Sequence, residues 1–213
     1  MNSPYQVDAI FHRTAFDPKM LKLSRKINLT EISASDMEKI SSLKTPQDVV
    51  ALVKIPAWPA IHNAQLRQKF TIVLDGLQDP GNMGTIIRTA DWFGIGQIIC
   101  STDTVDVYNP KVVQATMGSL ARTKVFYADL KTILPQLAMP VFGGMLNGES
   151  IYKTDFGNEG LILMGNEGNG VRPEIEQLIT LTITIPRVGG AESLNVGIAT
   201  AIFCSEIARN RVT

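Results

Sequence analysis

The chain is poor in the residues that hold metals and staple small folds: it has two cysteines and two histidines in 213 residues. Cys100 stands in an apolar run and Cys204 near the chain end, without metal-ligand spacing, and His12 and His62 are isolated from every motif described below. No metal centre is expected, and the cysteines read as buried thiols of a reducing compartment rather than as a disulfide. No apolar run approaches the roughly 20 residues that cross a bilayer, and the opening MNSPYQVDAI lacks the basic-then-apolar layout of a signal peptide. A cytoplasmic location without membrane contact is the expectation. An excess of charge is lacking too, with 20 Lys/Arg against 20 Asp/Glu. The balance is uneven, however: residues 1–70 hold 10 basic and 6 acidic side chains (10 − 6 = +4), and residues 71–213 hold 10 and 14 (10 − 14 = −4). A basic front beside an acidic back is mild support for a front module facing nucleic acid, although a solvated surface gives the same count.

What is present is a chain 45% hydrophobic, long enough for one domain or two small ones. In the front segment, Tyr5 to Phe11 reads as a strand, Asp17 to Lys26 as helix-like, and Asn28 to Ile32 as a second strand. Ser35 with Glu38 makes a capping box for a short helix through Ile40 and Leu43, and Val49 to Ile55 is a β-branched strand. The Pro-rich stretch from Pro56 and the polar residues up to Lys69 read as a linker. From residue 70 onward the character changes. Strands are expected at Phe70 to Leu74, Gln97 to Cys100, Lys124 to Tyr127, Pro140 to Met145, Leu161 to Met164 and Leu181 to Ile185. Helices alternate with them, at Met83 to Phe93, after Asn109-Pro110, at Leu130 to Leu137, at Pro173 to Leu178, and from near Ser193 to the chain end. That alternation predicts an α/β fold with a mostly parallel sheet and helices on both faces, whose ligands gather at the carboxyl ends of the strands.

Three of those strand ends carry unusual residues. The first is Asp79-Pro80-Gly81-Asn82-Met83-Gly84, followed by Arg88-Thr89-Ala90. Asn82 stands where a helix cap would be, Gly84 lets something approach the first turn, and Arg88 sits among the apolar residues Ile86, Ile87 and Ala90. Taken singly, a cap and an exposed helix charge account for Asn82 and Arg88; an arginine so placed is also suited to a phosphate or carboxylate. The second is Gly165-Asn166-Glu167-Gly168-Asn169-Gly170, a glycine-rich turn that is neither a dinucleotide fingerprint nor a P-loop and that holds Glu167 at a strand end. The third is Ile185-Pro186-Arg187-Val188-Gly189-Gly190-Ala191-Glu192-Ser193-Leu194-Asn195-Val196. Ser193 or Asn195 would cap the last helix, and capping and substrate contact are equally open for Ser193.

In order and spacing these three motifs closely resemble those of the SpoU-type (TrmH family) RNA ribose 2'-O-methyltransferases of the SPOUT superfamily, over roughly residues 70 to 210. The resemblance implies an α/β catalytic domain, residues 70–213, whose C-terminal segment threads a loop to make a deep trefoil knot, against the rule that chains avoid knots. It implies S-adenosylmethionine bound bent in that knot, and a homodimer with its active site at the interface. Residues 1–56 resemble the latter part of the small ribosomal-protein-like RNA substrate-binding domain of the family, truncated by its opening helix, strand and helix, with residues 57–69 as linker. Carried over by motif, Asn82, Arg88, Glu167, Ser193 and Asn195 form the catalytic and RNA-facing set. Gly165, Ile185, Pro186 and Leu194, with Asn147 and Gly148 on the neighbouring loop, line the cofactor pocket. Ribosomal RNA is the favoured substrate, with transfer RNA the runner-up.

The implied chemistry is an in-line displacement that needs alignment and removal of a proton from a weakly acidic hydroxyl. The family proposal makes the arginine matching Arg88 a base activated by a substrate phosphate. Neutralising a guanidinium at pH 7 costs about 9 kcal/mol, which favours a phosphate clamp with proton loss late or through water, and leaves direct base catalysis as the minority reading. Two other classes stay open: a non-catalytic RNA-binding relative, and a flavodoxin-like binder whose glycine turns hold a phosphate. Intact polar residues in all three motifs weigh against the first, and calorimetry with flavin nucleotide against S-adenosylmethionine separates the second.

Overall fold

The structure is a computed structural model that describes residues 4–21 and 27–212. The chain divides into two compact units, Met1–Ala57 and Trp58–Thr213.

In the first unit, strands β1 (Gln6–His12), β2 (Asn28–Glu31) and β3 (Val49–Lys54) form a sheet of order β2-β1-β3. β1 runs parallel to β2 and antiparallel to β3. Helix α1 (Ala34–Ile40) starts two residues earlier than the expected capping box. Its cap is Ser33, held in an extended conformation, whose Oγ accepts the Asp36 N–H at 3.1 Å and donates to the Asp36 carboxylate at 2.7 Å. Ser35 therefore lies inside the first turn, and the extended backbone of Ser41 stops the helix before Leu43. The helix-like stretch from Asp17 yields a single 3-10 turn, Pro18–Met20, after which Leu21 is extended; residues 22–26 of that expected stretch lie outside the described residues. Ile10 and Met37 are buried, whereas Leu29, Leu52 and Ile55 are open.

The segment read as a linker is more than that. Helix α2 (Asn63–Leu66) lies within it, Leu66 is fully buried in the core of the second unit, and the Asn63 side-chain amide donates to the Leu137 carbonyl. Trp58 packs on Phe126, and the Lys124 ammonium sits 5.5 Å from the indole centroid. The physical reason is apolar burial, which a reading of proline content does not see.

The second unit is a six-stranded sheet built from β4 (Phe70–Leu74), β5 (Gln97–Cys100), β6 (Lys124–Tyr127), β7 (Val141–Ser150), β8 (Gly160–Met164) and β9 (Leu181–Thr184). The order is β6-β5-β4-β8-β7-β9 and every pairing is parallel. β4 and β8 are buried at every position, as central strands covered on both faces must be. Side chains alternate between those faces. Val73, Leu161 and Leu163 meet α2, α5 (Leu130–Leu137) and α6 (Pro173–Glu176) through Leu66, Leu134 and Ile175. Phe70 and Phe142 join Phe156 and Phe203 in an aromatic cluster that includes α7 (Val196–Val212), with the closest rings, Phe142 and Phe156, 5.1 Å apart.

Helix α3 (Pro80–Trp92) packs closely on α4 (Pro110–Ala115), and this explains Gly84: a Cβ there would lie 2.3 Å from the Ala115 Cβ, so what approaches the first turn is a neighbouring helix. Cys100 and Cys204 are both free and buried, and loss of solvation pushes both thiols up, Cys204 to about 12. Among the described residues no helix is long and apolar enough to cross a membrane.

The strand order sets the site. After β4 the chain builds outward through β5 and β6, then returns to the other side of β4 with β7, β8 and β9. The reversal falls between β4 and β8, and a crevice outside the carboxyl ends of those two strands is where such sheets bind ligands.

Candidate active site

Asn82, expected to cap α3, is not the cap. Asp79 holds that place, in an extended conformation with its carboxylate accepting the Asn82 N–H at 2.7 Å. Asn82 is the third helical residue, and its side chain is free to face the crevice. Its Nδ2 donates to Glu167 Oε1 at 2.9 Å, and its Oδ1 accepts from Asn195 Nδ2 at 2.8 Å. The amide orientations support one another. Asn195 Oδ1 accepts the N–H groups of Gly197 (2.9 Å) and Ile198 (3.2 Å), so the Asn195 amide must donate to Asn82, and the Asn82 amide to Glu167. The cap of α7 is therefore Asn195 and not Ser193, which is exposed two residues earlier. One hydrogen-bonded line thus joins all three motifs across the β4/β8 crevice.

Asn195 does two jobs that substitutions can separate. Asn195→Asp keeps the capping oxygen and loses the donor, so helix stability is expected to hold while the hydrogen bond to Asn82, and any activity that depends on it, is lost. Asn195→Ala loses both and should cost about 1 kcal/mol in thermal or urea unfolding as well.

Arg88 lies on the same helix, six residues and about 9 Å of rise beyond Asn82, outside that line. It is exposed, and no described residue gives it a hydrogen bond or ion pair. It lines a shallow cavity of about 330 Å³ with Thr85, Trp92, Ala115 and Ala201, and Trp92 beside it is 84% exposed. Among the described residues Arg88 has no partner, which leaves its guanidinium available to a group from outside.

Of the residues expected to line a cofactor pocket, Gly165 follows β8, Asn147 and Gly148 stand in the last part of β7, Ile185 and Pro186 follow β9, and Leu194 stands two residues before α7; β8, β7 and β9 are adjacent in the sheet. The ends of β7 and β9 are tied together: Thr184 Oγ1 donates to the Leu146 carbonyl at 2.9 Å, and Glu149 and Ser150 pair with Ile183 and Thr184. This places Asn147 and Gly148 against the strand that leads into Ile185 and Pro186. Ile185 is half-buried, while Leu146, Val188 and Leu194 are apolar and exposed. The glycines have reasons within the chain. A Cβ at Gly148 would lie 2.5 Å from the Thr182 carbonyl oxygen, and one at Gly165 would lie 2.3 Å from the Gly170 carbonyl carbon.

Residues 69–205 match the model of the SpoU rRNA Methylase family. The chain belongs to that family. Relatives of this SpoU methylase include the 23S rRNA guanosine 2'-O-methyltransferase RlmP of Bacillus subtilis, 30% identical over 81% of this chain and 69% of the relative. The 23S rRNA guanosine 2'-O-methyltransferase RlmB of Acinetobacter baylyi is 30% identical over 91% of this chain and 84% of its own. Among solved structures, a TrmH-family protein of Porphyromonas gingivalis superimposes with a TM-score of 0.86 at 38% identity, over 97% of this chain and 84% of that one. An AdoMet-bound rRNA methyltransferase of Sinorhizobium meliloti gives a TM-score of 0.83 at 29% identity, over 98% and 82%.

Two further polar residues of the SpoU methylase fold, Asp75 and Arg172, lie outside the three motifs, and a third, Asn166, lies in the second motif without a role read for it. Asp75, at the end of β4, is fully buried and binds Arg172, whose guanidinium is held further into its charged form by that carboxylate. Asn166 reaches across to the Gly76 carbonyl at 2.7 Å. A signal for Asp75 does exist in the sequence: it is a carboxylate directly after five apolar or β-branched strand residues, a place where burial demands a partner.

Proposed function

We propose that this SpoU methylase transfers a methyl group from S-adenosylmethionine to the ribose 2'-hydroxyl of a nucleotide in structured ribosomal RNA. The observation that carries the reading is the hydrogen-bonded line Asn195–Asn82–Glu167 across the β4/β8 crevice, with an open guanidinium on the same helix. The donor residues fit. Exposed apolar Leu146 and Leu194 and the half-buried Ile185 suit an adenosyl group, and the tied ends of β7 and β9 supply main-chain groups around it. S-adenosylmethionine would supply an electrophilic methyl group on a sulfonium. The chain supplies alignment. Arg88 takes a phosphate of the RNA in its planar fork and thereby positions the adjoining ribose. Asn82 and Asn195 orient the hydroxyl, Glu167 fixes the Asn82 amide, and the hydroxyl proton leaves late, to water.

A second copy of the chain completes the site in this reading. Trp92, Val113, Met117 and Ile198 are exposed apolar residues on α3, on and just after α4, and on α7, and Arg88 lines a cavity with Trp92, Ala115 and Ala201 of the same three helices. A partner covering this face would carry Arg88 into the neighbouring crevice. Trp92→Glu is then expected to weaken dimerisation at least about thirtyfold, as for an aromatic interface anchor worth about 2 kcal/mol, read by analytical ultracentrifugation. A trefoil knot also belongs to the proposal. β9 lies at the sheet edge, yet α7, which follows it, packs on α3 and β8, so the chain returns past the end of β7. Residues 1–57 are proposed to grip RNA, and the protein to work in the cytoplasm. The test is incubation with labelled methyl donor and total RNA lacking its modifications, followed by mapping of the labelled ribose. Label confined to transfer RNA would move the substrate, and no ribose label in any RNA would overturn the reading.

A further inference from the structure

We infer that Asp75 and Arg172 are a positioning pair for methyl transfer, fixing the turn that presents Glu167 to Asn82; the inference rests on the function proposed above. Asp75 is the residue after β4, its side chain has no solvent exposure, and both its oxygens are engaged. Oδ2 accepts the main-chain N–H of Arg172 at 2.8 Å, and Oδ1 accepts Arg172 Nε at 2.8 Å and also Nη2. Arg172 Nη2 reaches a second carboxylate, Asp103 Oδ1, at 3.6 Å.

The turn between β8 and Arg172 is pinned at both roots. On one side, Asn166 Nδ2 donates to the Gly76 carbonyl, the residue next to Asp75, while Asn166 Oδ1 accepts the N–H groups of Gly168 (2.8 Å) and Asn169 (3.2 Å). Asn166 and Gly170 exchange main-chain hydrogen bonds in both directions, at 2.9 and 3.0 Å. On the other side stands the Asp75–Arg172 pair. Glu167 is the residue these roots leave free to point at Asn82.

The sheet itself does not need the pair. β4 and β8 already pair along all five residues from Phe70↔Gly160 to Leu74↔Met164, and apolar side chains at a buried ion pair often hold a fold as well or better. What an ion pair with three directed hydrogen bonds adds is orientation. Asp75 and Gly76 are also anchored to the strands on either side, the Asp75 N–H donating to the Met164 carbonyl of β8 at 2.9 Å and the Gly76 N–H to Ser101 Oγ, just after β5, at 2.8 Å. The clamp is therefore rigid on the β4 side, and the part it can move is the turn.

The experiment is a double-mutant cycle on ribose methylation with Asp75→Asn and Glu167→Ala. Expected is a fall in kcat of about tenfold for Asp75→Asn, with dissociation constants for the methyl donor and RNA within about twofold of the parent. In the Glu167→Ala background the same change should cost less than about twofold, because the group being positioned is gone. Equal fold-losses in both backgrounds, a loss confined to binding, or full activity of Glu167→Ala would each overturn the inference. Should Asp75→Asn fail to fold, Arg172→Lys carries the same cycle, since it keeps the charge and loses the fork. An inactive parent protein would instead sink the methyl-transfer reading, so the two failures are distinguishable.

Discussion

Replacing Arg88 with alanine is expected to lower ribose methylation by about a hundredfold to a thousandfold, the usual loss when a charge-stabilising donor is removed from a reacting site. The melting temperature should stay within about 2 °C, because Arg88 is exposed and holds no described residue, and surface changes of that kind stay within about 0.5 kcal/mol. Few positions offer so wide a gap between activity and stability. Arg88→Lys divides the roles further. A lysine keeps the charge but not the planar pair of donors, so a phosphate clamp predicts weakened RNA binding and an activity between those of the parent and Arg88→Ala. Near-normal turnover of either variant with unchanged RNA affinity would discard both clamp and base, and return Arg88 to an ordinary solvated side chain.

The sheet and the motif positions were legible in the sequence because they are written in local terms. Continuous apolar runs such as Phe70 to Leu74 and Leu161 to Met164 have few other uses than a buried parallel strand, and the structure has them at those places. Helix starts were less legible, for a physical reason common to three of them. Ser33, Asp79 and Asn195 each stand near another residue able to cap, and the choice among them depends on which backbone turns extended, which tertiary packing decides. The choice at Asn82 matters most. Taking it for a cap hides that its amide is free, whereas with Asp79 capping, Asn82 becomes the centre of the line between Glu167 and Asn195. The burial of Asp75 has a local signal, but its partner Arg172, 97 residues away in sequence, is invisible to any local pattern; only the neighbouring of β4 and β8 brings the pair into being.

Gly165→Ala should be the most destabilising single methyl group in the site, and its effect decides between two accounts of that glycine. If Gly165 is a glycine so that a methyl donor can approach, the alanine variant will fold as well as the parent and bind S-adenosylmethionine weakly. The packing says otherwise. The new Cβ would lie 2.3 Å from the Gly170 carbonyl carbon and 2.4 Å from the Val171 nitrogen, both main-chain atoms, so no side chain can swing aside to make room. Relief requires opening the Asn166–Gly170 pairing, and the expected cost is about 3 kcal/mol, at the upper end for overpacking, or a fall of about 6–12 °C in melting temperature. Methylation should fall with it, since Glu167 rides on that turn. Gly189→Ala is the control: nothing lies within 4 Å of a Cβ there, so stability should hardly change. An unshifted melting temperature for Gly165→Ala together with weakened donor binding would reverse the account, making the turn a ligand cradle first and a support for Glu167 second.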